Sequence, residues 1–292
     1  MAKHLLAKEV NEALVADLRK RTAVLREKGV HPTLGIIRVG ARPDDLSYET
    51  GATKKAESVG VSVKVFELPE DASREAVEAV IDQVNKDDSV HGVLVFQPFP
   101  AHLKPYQRQL CNRLDPRKDM DCLTDLSSAG VYQGRDDLGY APCTPAACME
   151  ILDHYGIDCK GKSAVVLGRS LVVGRPAAMM LMDKNATVTI CHTKTVDAAA
   201  ICRKADIIVS AAGVLNYLTR DYVREGQIII DVSMNWNPEK VTSRGKGGMS
   251  GDAAFEEVEP IVAAITPVPG GVGGVTTTVL MKHVVEAAEK VK

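Results

Sequence analysis

The sequence predicts an α/β protein of two domains, on three observations. Its 292 residues exceed the size at which one hydrophobic core usually keeps growing. Short β-branched runs alternate with helical patterns along most of the chain, which implies parallel strands joined by crossover helices. The alternation breaks once, between about 115 and 144, and then resumes.

In order, Val10, Leu14 and Leu18 recur every four residues and predict a first helix, and TLGIIRV (Thr33 to Val39) reads as a buried strand. A helix from about Ser47 to Val59 follows, then the strand VSVKVFEL, a helix from Arg74 to Asn85 and the strand GVLVFQ. The polar stretch from Asp115 to Thr144 carries KDMDC and several turn formers, and reads as a linker or a functional loop. Beyond it the pattern gives a helix from Pro145 to Tyr155, strand SAVVLG, a helix from about Gly174, strand TVTIC, another helix, and strands DIIVSAA and QIIIDVS. This half reads as a self-contained nucleotide-binding unit. The last stretch, TTTVLMKHVVEAAEKVK, predicts a helix with Val279, His283 and Ala287 on one face, returning to the first domain. The expected domains are therefore 1–141 with 275–292, and 142–274.

Composition excludes several classes. Thirty-six Lys and Arg against 38 Asp and Glu leave a net charge of -2, and no basic stripe marks a nucleic-acid partner. Residues Met1 to Asn11 mix charges with apolar side chains, so neither a signal peptide nor a membrane span is expected, and the location expected is the cytoplasm. Seven cysteines with no CxxC pair predict neither a disulfide framework nor a metal site.

In SAVVLGRSLVVGRP a β-branched run ends at Gly168 and a helix opens near Gly174, with Pro176 in its first turn. A strand turning through glycine into a helix presents backbone N–H groups and the positive end of the helix dipole to a pyrophosphate. The spacing is not GxGxxG, and a plain strand-to-helix turn fits this loop as well as a cofactor site does. The next strand ends in CHTKT, without the Asp or Glu that commonly binds an NAD ribose. His192, Thr193 and Lys194, with Arg169 and Ser170 across the same crevice, offer donors and positive charge that match a 2'-phosphate, which favours NADP. The bland alternative is that Arg169 and Lys194 solvate a loop.

Taken together, SYETGATKKAESVGV, HGVLVFQPFP, PRKDMDC, APCTPAA, GKSAVVLGRSLVVGRPAAMML, VTICHTKT, ADIIVSAAG, IIIDVSMN and ITPVPGGVGG resemble the methylenetetrahydrofolate dehydrogenase/cyclohydrolase (FolD) family, in the family's order and over nearly the whole chain. The resemblance implies a folate-binding substrate domain completed by the C-terminal helix, a Rossmann-like NADP domain and a homodimer. Two reactions are implied: oxidation of 5,10-methylenetetrahydrofolate to the methenyl form, and hydrolysis of that product to 10-formyltetrahydrofolate. By the same resemblance Tyr48 lies over the folate ring system and Asp121 bonds the pterin, while Pro269, Gly270 and Gly271 line the cleft where folate and nicotinamide meet. Within the matching segments, Val173, Gly174, Ala212, Gly213 and Asp231 join Gly168, Arg169, Ser170, His192 and Thr193 as cofactor residues. Read without the resemblance, Tyr48 fits an ordinary half-buried aromatic and Asp121 a turn carboxylate.

The chain departs from the family where hydrolysis needs a proton relay. The family's lysine, one helical turn after the tyrosine, is Ala52 here, and its glutamine in GxxVQLPLP is Phe96, with Gln97 one residue late. On a strand that shift sends the side chain to the opposite face. Lys54 falls on the wrong helical face, and Lys55 returns near the tyrosine's azimuth but about 10 Å along the axis. Cys122 replaces the glycine of KDVDG, and Gly274 with Val275 replaces PM in PGGVGPMT. Redox chemistry with weak or absent cyclohydrolase activity is the expectation. The competing readings are a nicotinamide dehydrogenase of another small substrate and a non-catalytic nucleotide-binding homologue.

Overall fold

The computed structural model describes residues 1–243 and 245–291; Lys292, the end of the expected last segment, lies outside the described residues. In chain order the strands and α-helices are β1 (Lys3–His4), α1 (Ala7–Glu27), β2 (Thr33–Val39), α2 (Pro43–Val59), β3 (Ser62–Leu68), α3 (Arg74–Lys86), β4 (Gly92–Val95), α4 (Gln107–Asn112), α5 (Asp125–Gln133), α6 (Cys143–His154), β5 (Ser163–Leu167), α7 (Gly174–Asp183), β6 (Thr187–Cys191), α8 (Ala198–Lys204), β7 (Ile207–Ser210), β8 (Ile228–Asp231), β9 (Asn235–Thr242), β10 (Gly245–Ser250), α9 (Phe255–Val258), β11 (Ala264–Ile265) and α10 (Thr276–Glu289). They form two compact units. One comprises Glu12–Cys143 with the chain from Thr277 onward, the other Met1–Asn11 with Thr144–Thr276.

The first unit is built on a parallel sheet ordered β3-β2-β4. Central β2 is buried on both faces, which is why TLGIIRV reads as an unbroken apolar run. Ile37 and Val39 join Val77, Ile81 and Val84 of α3 in one core cluster. Helix α2 turns Ala52, Ala56 and Val59 inward. It begins at Pro43, earlier than the expected Ser47, because Pro43 fits the first helical position and Asp44 and Asp45 complement the dipole of the first turn. Arg38, 4% exposed, bonds Glu49 of α2 at 3.0 Å and so ties the helix to the central strand. The Asp115 to Thr144 stretch holds helix α5, capped by Thr124, whose hydroxyl accepts from Ser127 N–H at 3.0 Å.

The second unit is a six-stranded parallel sheet ordered β1-β11-β8-β7-β5-β6, with an antiparallel hairpin β9-β10 inserted after β8. The expected boundaries shift accordingly. Residues 1–11 belong to this unit rather than to the first, since β1 pairs with the edge strand β11 and Leu6 shares both backbone groups with the Tyr155 hydroxyl. From β5 the chain moves to β6 on one side and then to β7 on the other. The order therefore reverses between β5 and β7, the place where open α/β sheets bind ligands beyond their strand ends.

Candidate active site

In the first unit Tyr48 projects from α2 and meets the Phe96 ring edge-on, with centroids 5.8 Å apart. Although 43% of Tyr48 is exposed, its hydroxyl is desolvated, and with Cys143 and Asp121 nearby its pKa is pushed up to about 12; a hydrogen bond with the Thr277 side chain pulls the other way. Asp121 accepts the Cys143 N–H at 2.8 Å. Burial raises its carboxyl above the usual range and Asp119 adds to this, against the pull of the Cys143 hydrogen bonds. Two residues distant in sequence, Tyr48 and Asp121, are thus brought together beside Cys143. Asp119, fully buried, anchors the loop by accepting the N–H groups of Leu123 and Thr124 at 2.9 and 2.8 Å.

Next to Asp121 in the chain, the Met120 carbonyl is bonded by His283 of α10 at 3.0 Å, and the His283 ring lies against the Tyr140 ring. Burial lowers its pKa to about 4, so the ring is neutral near pH 7. Cys143 is buried and its thiol lies well above its ordinary range, chiefly through desolvation, which makes it inert as a nucleophile. Cys122 has φ 59°, the left-handed conformation that suits the glycine it replaces.

The departures are structural facts as well. Ala52 is 1% exposed and Phe96 is buried at 9%. Gln97 faces away from Tyr48: its side-chain amide donates to Cys111 Sγ at 3.0 Å, and its oxygen accepts from Gln107 at 3.0 Å. Lys54 is exposed, and Lys55 is half-buried, with burial lowering its pKa. No hydrogen bond among the described residues links either lysine to Tyr48 or Asp121.

In the second unit Gly168 ends β5 at φ 121°, and a Cβ there would lie 2.2 Å from the Ala211 carbonyl oxygen. Only glycine lets the two strand ends close at the switch point. Ser170 Oγ accepts the N–H groups of Val173 and Gly174 at 3.1 and 3.3 Å, so the turn caps α7 internally. Arg169 and Ser170 are exposed, as are Thr193 and Lys194 past the end of β6. His192 Nδ1 accepts Lys194 N–H at 3.1 Å, which leaves Nε2 to carry the ring proton. Among the described residues neither the Arg169 guanidinium nor the Lys194 ammonium makes an ion pair, and no carboxylate ends β6. Two unpaired cations there fit a 2'-phosphate.

Three further sequence-expected cofactor residues have polar groups engaged within the protein. Ala212 and Gly213 donate their N–H groups to Asp252 at 2.7 and 3.3 Å. Asp231 is 2% exposed, its oxygens engaged by the N–H groups of Ser233, Asp252 and Ala253. Burial pushes its pKa to about 7, those three bonds lower it, and Asp252 raises it. Asp231 nevertheless borders a cavity of about 230 Å³ with Val232, Met234 and the Pro267–Gly274 loop, so Pro269, Gly270 and Gly271 do gather there. Gly270 has φ 107°, which aims the loop's backbone along the cavity wall. Lys240 of β9 holds this loop by donating to the Val268 carbonyl at 2.9 Å.

A parallel sheet with a switch-point crevice, a glycine-closed turn and two cations beyond β6 defines a dinucleotide-binding domain of the Rossmann class. It shares its chain with a second parallel α/β unit that brings Tyr48 and Asp121 together. Residues 5–121 match the tetrahydrofolate dehydrogenase/cyclohydrolase catalytic domain, and residues 142–292 match the NAD(P)-binding domain of the same family. The chain belongs to the tetrahydrofolate dehydrogenase/cyclohydrolase family. It is 50% identical to a bifunctional protein FolD of Carboxydothermus hydrogenoformans over 99% of this chain and 98% of that one. The Campylobacter jejuni bifunctional FolD structure superposes with a TM-score of 0.90 at 36% identity, covering 99% of both chains. The Trypanosoma brucei N5,N10-methylenetetrahydrofolate dehydrogenase-cyclohydrolase, solved with NADP and an inhibitor, gives 0.88 at 32% identity over 99% of this chain and 98% of that one.

Proposed function

We propose that the protein is an NADP-dependent 5,10-methylenetetrahydrofolate dehydrogenase that hydrolyses its methenyl product poorly. The observation that carries this reading is the Tyr48 and Phe96 pair beside Asp121, in a chain matched along both domains to the family. Tyr48 supplies a flat surface for the folate rings, and Asp121, whose carboxyl burial raises above its usual range, exchanges hydrogen bonds with the pterin edge. Gly168, Arg169, Ser170, Val173, Gly174, His192, Thr193 and Lys194 form the NADP end, with Arg169 and Lys194 on the 2'-phosphate. Pro269, Gly270 and Gly271 wall the cavity that takes the nicotinamide ring.

Bound NADP+ supplies the hydride acceptor. The tetrahydrofolate nitrogens themselves push hydride out of the methylene group, so the protein's task is to hold the substrate still and keep water away, and no side-chain base is required. Hydrolysis demands more, because a water must be deprotonated as it adds. A buried methyl group at Ala52 and a phenyl ring at Phe96 give that water no relay. The relatives' names give both activities; these two residues favour one here.

Purified protein given methylenetetrahydrofolate tests this, with reduced cofactor and folate products followed together. NADP should be consumed faster than NAD, and methenyltetrahydrofolate should accumulate. No oxidation would overturn the first part. Formation of 10-formyltetrahydrofolate well above the spontaneous rate would overturn the second. A homodimer in the cytoplasm completes the proposal; sedimentation of the purified chain checks the dimer. No helix among the described residues is long and apolar enough to cross a membrane.

A further inference from the structure

Asp252, just after β10, is fully buried, and its two oxygens accept six hydrogen bonds. Oδ2 takes the N–H groups of Ala212 at 2.7 Å and Gly213 at 3.3 Å, with the hydroxyls of Ser210 at 3.1 Å and Ser233 at 2.8 Å. Oδ1 takes Val214 N–H at 2.9 Å and the Asn235 side-chain amide at 3.1 Å. Three consecutive backbone N–H groups converging on one anion form a nest of the kind that binds phosphate. Here the protein fills it with its own carboxylate. Asp252 is in turn held from behind, its N–H donating to Asp231 at 3.1 Å.

A buried carboxylate is tolerated only when its lone pairs are satisfied, so the donors are as fixed as the acceptor. Those donors belong to two separate segments. Residues 212–214 leave the end of β7 beside Gly168, at the switch point. Ser233 and Asn235 flank Met234, which lines the cavity with Pro269, Gly270 and Gly271. We propose that Asp252 is a positioning residue for the dinucleotide: one carboxylate clamps the 212–214 turn and the 233–235 segment into a single frame, and thereby shapes both the crevice and the cavity that receive NADP. This rests on the reading of the second unit as an NADP site.

The test titrates NADP directly onto Asp252→Asn, Ser233→Ala and wild type, and measures KM for both substrates. Asparagine keeps the shape but turns one oxygen into a donor, so at least two of the six donors lose their acceptor. Asp252→Asn should raise the NADP Kd about tenfold or more while the KM for methylenetetrahydrofolate stays within about twofold. Ser233→Ala removes one donor and should raise the NADP Kd by about two- to fivefold, with the melting temperature unchanged. An NADP Kd unchanged in both variants would overturn the clamp. So would equal weakening of folate and NADP with a lowered melting temperature, which marks a merely structural residue. Wild type that binds NADP but never oxidises the folate would overturn the functional reading instead, leaving the Kd comparison to decide the role of Asp252.

Discussion

The Phe96 ring stands at 84° to the Tyr48 ring, with the two centroids 5.8 Å apart. An edge-to-face pair of this kind contributes about 0.5–1.5 kcal/mol beyond its buried area. Phe96→Leu should therefore let Tyr48 move and raise the KM for methylenetetrahydrofolate by about two- to tenfold, with kcat little changed. Steady-state kinetics at saturating NADP will show it; an unchanged KM would mean the pair does not set the ring's position.

Arg169 offers a test of cofactor choice that is independent of the folate. A guanidinium bonded to a phosphate contributes about 1.5–3 kcal/mol, so Arg169→Ala should weaken NADP about tenfold or more and leave NAD nearly untouched. Equal losses for the two would show that Arg169 does not read the 2'-phosphate.

Cys122 sits at φ 59°, where a side chain costs about 1–2 kcal/mol that glycine avoids. Glycine loses more backbone entropy on folding, about 0.5–1 kcal/mol. Cys122→Gly should therefore gain up to about 1 kcal/mol in denaturant unfolding, and a clear loss of stability would contradict the backbone account.

Two buried groups give the units opposite responses to pH. His283 is lowered from 6.5 to about 4, so it binds a proton more readily unfolded; its contribution is complete above pH 6.5 and is lost as pH falls toward 4, about 3 kcal/mol in all. Asp231 is raised from 3.8 to about 7, so its contribution is present below 3.8 and is lost as pH rises toward 7. Unfolding free energies of His283→Leu and Asp231→Asn, each subtracted from wild type across pH 4 to 7, should slope in opposite directions. Parallel difference curves would refute the assignment.

Much of this was legible in the sequence because parallel strands write themselves as β-branched runs: the buried TLGIIRV and the half-exposed edge strand TVTIC match β2 and β6 residue for residue. Hairpin β9-β10 was not legible, since its Asn, Pro, Lys and Gly residues carry little β propensity and its outer face stays wet. The short helices α4 and α5 were hidden by weak periodicity, although the Thr124 cap was a readable signal for the second. Strand β4 ends at Val95, short of the expected GVLVFQ, so strand alternation does not govern Gln97, whose side chain turns instead to Cys111 and Gln107. Asp252 went unread because its meaning lies in donors from two segments remote from it in sequence. Asp231 was assigned to the cofactor from its motif, and only its depth in the fold shows that the carboxylate faces inward.

Strand β1 belongs to one unit and helix α1, which begins three residues after it, mostly to the other; the chain then changes unit again after Cys143 and after Thr276. Neither half can be excised with a single cut. A fragment ending at Cys143 would lack α10, whose nine buried side chains include His283, and a fragment starting at Thr144 would leave the edge of β11 bare. The first unit is therefore complete only once α10 joins Glu12–Cys143.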